Sequence, residues 1–192
     1  IAYMVEEKKI APYHILAITF TNKATNEMKI RLAALIKDEY TQVHISTFHS
    51  LCAKLLRREI HHLGFTNRFN IIDEDDQLKV INEVYEEANI DKKKFVPRKM
   101  QKKINFLKSH DSRSDFEVEN LILDAYNQKL KLHDLLDFED LLIKVRELFA
   151  KFPEILKKYQ DIYRYILVDE FQDTNAIQYD IVRVLSEKSG NI

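Results

Sequence analysis

Three short apolar stretches of the chain are each followed by a polar turn and then by an apolar pattern of helical period. They are ILAITF at 15–20, VHIST at 43–47 and YILVD at 165–169. The first and the last are almost continuously apolar, which is typical of parallel strands covered on both faces. A fourth stretch, FNIID at 69–73, is also predicted as a strand. Because strand and helix alternate, the pattern predicts a doubly wound α/β core.

The helical patterns after these strands place apolar residues three or four positions apart, so each predicted helix has one apolar face. Asn175, with Gln178 three residues later, resembles a capping box at the start of the last of these helices. The predicted apolar faces are Ala24, Met28, Leu32 and Leu35 after the first strand, Leu51, Leu55 and Leu56 after the second, and Ile177, Ile181, Val184 and Leu185 after the last.

Residues 74–160 differ from the rest of the chain, because helical periodicity runs through almost all of them. Pro97 and Pro153 stand where helices can begin, and no strand is predicted in this range. The pattern therefore predicts an all-helical domain, residues 51–162, inserted into an α/β core made of residues 1–50 and 163–192.

Composition allows such a fold and excludes some alternatives. Apolar residues make up 45% of the 192 residues and charged residues 32%, which suits a core with a charged surface. No apolar stretch approaches the roughly 18 residues that a membrane-spanning helix needs, so no membrane partner is expected. The single cysteine, Cys52, excludes an internal disulfide and fits the reducing cytoplasm.

The distribution of charge is more informative than its sum. A formal net charge of -1 gives no support to nucleic-acid binding. Residues 91–110, however, contain eight Lys or Arg residues and one acid, Asp91. This segment either neutralises phosphates or is simply the solvated face of a helix.

Two adjacent carboxylates, Asp169 and Glu170, follow the last predicted strand. Ligands of open α/β sheets bind at the carboxyl ends of the strands. There Asp169 could hold Mg²⁺, which prefers oxygen ligands, and Glu170 could polarise a water for attack on a phosphate. An apolar strand ending in Asp-Glu is the Walker B pattern. The simpler alternative is a strand that ends in two solvated acids.

Four segments together resemble superfamily-one DNA helicases of the UvrD/PcrA/Rep type. DEFQDTN at 169–175 matches their Walker B segment residue for residue, and AITFTNKATNEMKIRL at 17–32 resembles motif Ia. ISTFHSL at 45–51 resembles motif Ib, and LDFEDLL at 136–142 resembles their D-F-D-D-L segment. The order and approximate spacing also fit, over essentially the whole chain, and the similarity is greatest to the PcrA branch.

This resemblance implies a partial RecA-like core of the P-loop NTPase fold, ATP and Mg²⁺ as cofactors, and a place among enzymes of DNA repair and replication. Asp169 would coordinate Mg²⁺ through water, Glu170 would be the catalytic base, and Gln172 would sense the γ-phosphate. Residues of motifs Ia and Ib would contact single-stranded DNA, and the helical insertion would lie near the duplex at the fork. The implied DNA contacts are Phe20, Thr21 and Asn22 from motif Ia and Thr47, His49 and Ser50 from motif Ib.

Structural roles for the same residues remain open at this point. Thr21 and Asn22 could be helix N-caps, Phe20 could be a core residue, and His49 could be a half-buried structural histidine. The acids of 136–142 are interpreted as helix N-terminal acids that complement the helix dipole, rather than as catalysts. Two positions depart from the family pattern: Thr25 replaces a usual Ala, and Glu139 a common Asp.

A Walker A loop, G-x-x-x-x-G-K-[ST], is not expected in this chain, because Gly64 and Gly190 are its only glycines. We expect the chain to begin just after that loop and to be a fragment of an ATP-dependent 3′-to-5′ DNA helicase, with polarity implied by the resemblance. Alone it would be inactive, and the remaining helicase domains of the same protein would be its partners. A non-catalytic DNA- or protein-binding module and part of a recombination helicase-nuclease are the alternatives.

Overall fold

The computed structural model describes residues 1–36 and 42–192. These residues form two compact units, which we call the α/β unit (residues 1–54 and 145–192) and the helical unit (residues 55–144). Within the described part of the chain, no helix combines the length and the apolar character needed to cross a bilayer.

The strands are β1 (Ile15–Thr19), β2 (His44–Thr47), β3 (Asn70–Ile71), β4 (Leu135–Leu136) and β5 (Tyr165–Val168). The α-helices are α1 (Ala2–Glu6), α2 (Asn22–Ile36), α3 (Phe48–Glu59), α4 (Glu74–Glu87), α5 (Pro97–Ser109), α6 (Glu117–Leu132), α7 (Phe138–Lys151), α8 (Pro153–Ile162) and α9 (Ala176–Ser186). Short 3₁₀ turns occupy Pro12–His14, Ile60–Leu63 and Phe171–Asp173.

A parallel sheet of β1, β2 and β5 forms the centre of the α/β unit, in the order β2-β1-β5. Thr19 is paired with Thr47 on one side of β1, and Ile18 with Val168 on the other. The predicted α/β class and the three parallel strands are therefore confirmed.

The coverage of the two apolar strands differs from the prediction. Every residue of β1 is buried, as expected for a central strand. In β5 only Ile166 is buried, and Leu167 is 37% exposed. Since successive side chains of a strand point to opposite faces, β5 is covered on the Ile166 face and open at Leu167. The prediction of two covered faces is right for β1 and wrong for β5.

The helices beside the sheet largely follow their predicted faces. In α2, Leu32 is buried but Leu35 is 62% exposed, so Leu35 was wrongly assigned to the apolar face. The buried line runs through Thr25, Leu32 and Ile36, because 3.6 residues per turn bring these positions onto one side. The faces of α3 and α9 are confirmed by the burial of Leu51, Leu55, Leu56, Ile177, Ile181 and Leu185.

In the helical unit, α4, α5 and α6 share one apolar core. Pro97 is the first residue of α5, and in the α/β unit Pro153 is the first residue of α8, both as predicted. The core is built by buried side chains that include Ile81, Val84, Ile104, Leu107, Ile122 and Tyr126.

A short parallel pair, β3 with β4, corrects the prediction that residues 74–160 contain no strand. Asn70 is paired with Leu135 and Ile71 with Leu136. Strand β4 has two residues between the end of α6 and the start of α7, too few to show a period of two. Its partner lies far away in sequence, so no local pattern could indicate it.

Candidate functional site

The predicted site residues follow the three strands of the parallel sheet at the edge where all three strands end. Because the strands are parallel, the turns after β1, β2 and β5 lie at the same edge. Asp169 continues the pairing beyond β5, since its backbone N–H donates to the carbonyl oxygen of Ile18 at 2.9 Å. The structure therefore brings the three predicted segments, 20–22, 47–50 and 169–172, to one edge.

The turn after β5 has an unusual backbone at Glu170, with φ 49° and ψ 48°. This left-handed conformation costs a non-glycine residue about 1 kcal/mol or more. Asp173 closes the turn by donating its N–H to the Glu170 carbonyl at 2.8 Å. The Gln172 side-chain amide donates to the Glu170 carboxylate. The turn thus joins the predicted base and the predicted phosphate sensor, both of which are exposed to solvent.

After the turn, the capping box at the start of α9 is confirmed. Gln178 donates its backbone N–H to Asn175 Oδ1 at 2.9 Å, and Asn175 donates its N–H to Gln178 Oε1 at 3.1 Å. This reciprocal pair fixes where the turn ends and α9 begins.

Asp169 is exposed and lines a concave space of about 310 Å³ beside α1 and α2. Among the described residues, no group of three or more His, Cys, Asp or Glu side chains is placed to hold a metal ion by itself. Mg²⁺ commonly uses one or two protein carboxylates together with substrate phosphates and water. The residues present therefore fit a Mg²⁺ shared with a nucleotide, which Asp169 would hold through water.

The turn after β1 is organised by hydroxyl groups. Thr21 Oγ1 accepts the backbone N–H of Ala24 at 3.1 Å, so Thr21 caps α2 as one of the structural alternatives predicted. Thr19 is buried and its hydroxyl lies 2.6 Å from that of Thr25. Thr25, which departs from the family pattern, therefore has a hydrogen-bond partner in this chain. Asn22 is exposed at the first position of α2.

The turn after β2 is built in a similar way. Thr47 is buried, and its Oγ1 accepts the Ser50 N–H at 3.2 Å and donates to Ser50 Oγ at 2.9 Å. Ser50 is exposed, and its own hydroxyl hydrogen remains able to donate outwards. His49 is half-buried, and burial lowers the pKa of its imidazole, which favours the neutral form.

Two aromatic rings, one from each of these turns, are in contact. Phe20 is half-buried, and its ring centroid lies 5.6 Å from that of the buried Phe48 at an interplanar angle of 58°. Phe20 is thus anchored on one side by Phe48 and partly open on the other.

In the helical unit the structure reveals an ion cluster that sequence reasoning missed. Lys108 Nζ lies 2.7 Å from Asp137 Oδ2 and 2.8 Å from Asp140 Oδ1, and all three side chains are buried. Tyr126 donates its hydroxyl to Asp137 Oδ2 at 2.9 Å. Lys108 was counted within the basic segment, but it belongs to the core. The available signal was its position beside Ile104 and Leu107 on the apolar face of α5.

The same cluster confirms that the acids of the 136–142 segment lie at a helix N-terminus. Asp137 Oδ1 accepts the backbone N–H of Asp140 at 2.9 Å, and Glu139 and Asp140 lie in the first turn of α7. Burial, with a smaller contribution from Asp137, raises the pKa of Asp140 to about 6 although Lys108 opposes the shift. The Lys108 ammonium group therefore does not fully offset the burial of the Asp140 carboxylate.

Comparison with known proteins agrees with the motif resemblance. A family model described as the UvrD/REP helicase N-terminal domain matches residues 1–192. The ATP-dependent DNA helicase PcrA of Staphylococcus aureus (strain Mu50) is 41% identical over 202 aligned residues, which cover 100% of this chain and 28% of the relative. PcrA of Staphylococcus epidermidis (strain ATCC 12228) gives the same identity and coverage. This chain spans just over a quarter of the length of these curated relatives, and it belongs to the UvrD/REP helicase N-terminal domain family.

Proposed function

We propose that the protein to which this chain belongs is an ATP-dependent DNA helicase of the UvrD/PcrA type that moves 3′ to 5′ on single-stranded DNA. The observation that carries the proposal is the placement of Asp169 and Glu170 at the carboxyl end of a parallel strand. The turns proposed to contact DNA lie at the same sheet edge. The direction of movement rests on the family resemblance alone.

Asp169, Glu170 and Gln172 are proposed as the ATP-hydrolysing residues. Mg²⁺, when bound, would neutralise charge on the phosphates of ATP. Asp169 supplies a carboxylate oxygen at the mouth of the concave space. Glu170 is the group that accepts a proton from the attacking water. Because the Gln172 amide donates to Glu170, a change in the contacts of either side chain alters the other.

The turns after β1 and β2 are proposed as the single-stranded DNA contact. Thr21 and Thr47 are occupied as caps, so they fix the N-termini of α2 and α3 at the sheet edge. Helix N-termini present backbone N–H groups that favour phosphate oxygens. The other proposed contacts are Phe20, with its partly open ring, together with Asn22, His49 and Ser50.

The α/β unit is proposed to be part of a RecA-like core of the P-loop NTPase fold, and residues 51–162 a helical domain inserted into it. The parallel sheet with β1 at its centre and the compact unit of residues 55–144 support this arrangement. The cations of residues 92–103 are proposed to neutralise phosphates of the duplex at a fork. The remaining helicase domains of the same protein are the further proposed partners.

The test is DNA-stimulated ATP hydrolysis by a longer form of the protein that extends this chain at both ends. We expect Glu170→Gln to lower the turnover rate by about 10²-fold or more, because a general base is lost. Asp169→Ala should remove most activity as well. Glu187→Gln, an exposed acid just after α9, is the matched control and should leave the rate unchanged.

Equal hydrolysis by the wild type and Asp169→Ala would show that the proposed metal site is wrong. A longer protein that binds DNA and hydrolyses no ATP would favour the non-catalytic binding module instead. For the 192-residue chain alone, we propose no ATP turnover; steady turnover that Glu170→Gln abolishes would contradict this.

A further inference from the structure

One face of α5 carries a row of exposed side chains that the proposed ATP chemistry does not use. Arg98, Lys102, Phe106 and His110 recur every four residues, and all four are exposed. Residues four apart are neighbours on a helix surface, about 6 Å apart along its axis, and His110 continues the row as the C-cap of α5. The buried residues Met100, Ile104 and Leu107 form the core-facing side of α5. The row is therefore a surface of two cations followed by two aromatic rings.

The two rings of this row are stacked. The centroids of Phe106 and His110 are 4.1 Å apart, with an interplanar angle of 26°. Phe106 is 53% exposed, so a large part of its ring remains open to a ligand. A single exposed Phe is unremarkable in a soluble protein, but a stacked pair in line with two cations is a more specific arrangement.

Local hydrogen bonds hold the stacked pair in place. His110 Nδ1 lies 2.9 Å from the Phe106 carbonyl oxygen and 3.0 Å from Ser109 Oγ, which orients the imidazole. The end of α5 is closed by a Schellman motif, in which Ser112 donates its N–H to the Leu107 carbonyl at 2.9 Å. The rings are thus organised before any ligand binds, which lowers the entropic cost of binding.

We propose that this row binds single-stranded DNA, with one unpaired base stacked on the Phe106–His110 pair and the flanking phosphates held by Arg98 and Lys102. Aromatic faces accept any base, and cations along one line follow the phosphate backbone, which are the two components of sequence-independent single-strand binding. The proposal rests on the DNA-binding role proposed above. It adds an unpaired-base contact in the helical unit, and it assigns Arg98 and Lys102 to the phosphates beside that base, leaving the other cations of residues 92–103 to the duplex.

The surrounding charges indicate which end of the row faces the phosphates. Asp111 follows His110 directly in the chain, so an acid stands next to the aromatic end. The segment from Lys92 to Lys103 contains no acid of its own, and the acids Glu86 and Glu119 of neighbouring segments pair with Lys92 and Lys103 rather than with Arg98 or Lys102. Phosphates are therefore favoured at the Arg98 and Lys102 end, and the base at the Phe106 end.

The test is equilibrium binding of the 192-residue chain to two fluorescent strands of equal length, measured by anisotropy. One strand is oligothymidine, and the other is the same phosphodiester backbone without bases. We expect the wild type to prefer the strand with bases by about fivefold or more. Phe106→Ala should reduce this preference to the share that Phe20 contributes and leave affinity for the base-free strand unchanged. Phe106→Trp should restore the preference.

Two control variants separate stacking from charge and from general exposure. Phe116→Ala removes another exposed phenylalanine of the same unit, 66% exposed, and should leave both affinities unchanged. Lys102→Ala should weaken binding to both strands equally and reduce the slope of log K against log salt by about 1. Far-UV circular dichroism should be the same for all variants, because the substituted side chains are exposed.

The proposal is overturned if Phe106→Ala and the wild type show the same preference for bases, or if the wild type shows none. In either case, ATP hydrolysis by the longer protein with Asp169 and Glu170 variants decides the helicase proposal separately. An equal loss of the preference for bases in Phe106→Ala and Phe116→Ala would also overturn the proposal, because the effect would then depend on exposed aromatic area rather than on the stacked pair.

Discussion

At the scale of single residues, the hydrogen-bond partners of buried polar groups lie at very different distances along the chain. The Thr19 hydroxyl is buried but bonds to Thr25 and to the Thr21 carbonyl. Caps such as Thr21 were predictable because the capping oxygen accepts from a backbone N–H that lies only three residues further along the chain. The Lys108 cluster was not predictable, because its two carboxylates lie 29 residues or more further along the chain.

The Asp140 carboxyl makes the stability of the chain depend on pH in a direction opposite to most acids. Its pKa is raised to about 6 in the folded chain, chiefly by burial, against an ordinary value of 3.8. Between these values the folded state binds the extra proton, so the free energy of unfolding falls as the pH rises. Asp140→Asn removes this dependence. Relative to the wild type, the variant should gain about 1 kcal/mol of unfolding free energy between about pH 5 and about pH 7.5, measured by chemical denaturation.

Asp124→Asn is the matched control for this pH series. The hydrogen bond from Arg113 lowers the pKa of Asp124, so this carboxylate stays ionised across the range. The difference in unfolding free energy between Asp124→Asn and the wild type should therefore be the same at every pH in this range. A constant difference for Asp140→Asn as well would mean that the buried carboxylate is already ionised at about pH 5.

At the scale of elements, the sequence predicted the long or continuously apolar segments and failed on the short ones. Helices α4 to α8 were visible because their apolar residues repeat over ten or more positions. Strand β4 has two residues and is defined only by its pairing with β3. Leu35 was misassigned because apolar residues spaced three or four apart can define more than one possible buried face of the same helix. Only packing against the sheet determines that the buried face of α2 includes Ile36 rather than Leu35.

The scarcity of glycine also has an explanation at this scale. Helices often end with a glycine in the left-handed region, but here α4, α5 and α6 use Asn89, Asp111 and Asp134, with φ of 50°, 49° and 50°. Asn and Asp tolerate this conformation better than other non-glycine residues. A chain with two glycines therefore still ends its helices in the usual way, at some cost in backbone strain.

Asn89→Gly should stabilise the chain. The Asn89 side chain has no hydrogen-bond partner among the described residues, so glycine would relieve strain without losing a contact. We expect the unfolding free energy to rise by up to about 1 kcal/mol, measured by urea denaturation.

Asp134→Gly is the contrasting variant at the end of α6. Asp134 Oδ1 accepts the Thr66 N–H at 2.9 Å, and losing this bond costs about 1 kcal/mol, which offsets the relief of strain. Equal stabilisation by both glycine variants would show that the Thr66 bond adds nothing.

At the scale of the whole molecule, different sets of buried side chains form an apolar core within each of the two units. The core of the helical unit is formed by residues between Ile72 and Leu130. A core of the α/β unit includes Val5, Ile15 and Ile45 and is formed by a different set of side chains. The presence of both an α/β part and a helical part was predictable from the change in periodicity at about residue 74. Which side chains pack together in each core was not predictable, because this depends on contacts between segments that are distant in sequence.

This separation leads to a prediction about local stability. Ile122 is fully buried in the helical unit and Ile45 is buried in the α/β unit. Ile122→Ala and Ile45→Ala should each cost about 2–5 kcal/mol through lost burial and the cavity left behind. Because the substituted side chains belong to different cores, amide hydrogen exchange should accelerate mainly within the unit that carries the substitution.

The measurement is hydrogen exchange followed by mass spectrometry on peptides from residues 72–130 and from residues 1–36. Ile122→Ala should lower protection in the first set more than in the second, and Ile45→Ala should do the reverse. Equal loss in both sets for both variants would mean that the two cores open as one cooperative unit. In that case a nucleotide bound beside Asp169 would stabilise the helical unit as strongly as the sheet, since ligand binding stabilises everything that unfolds together.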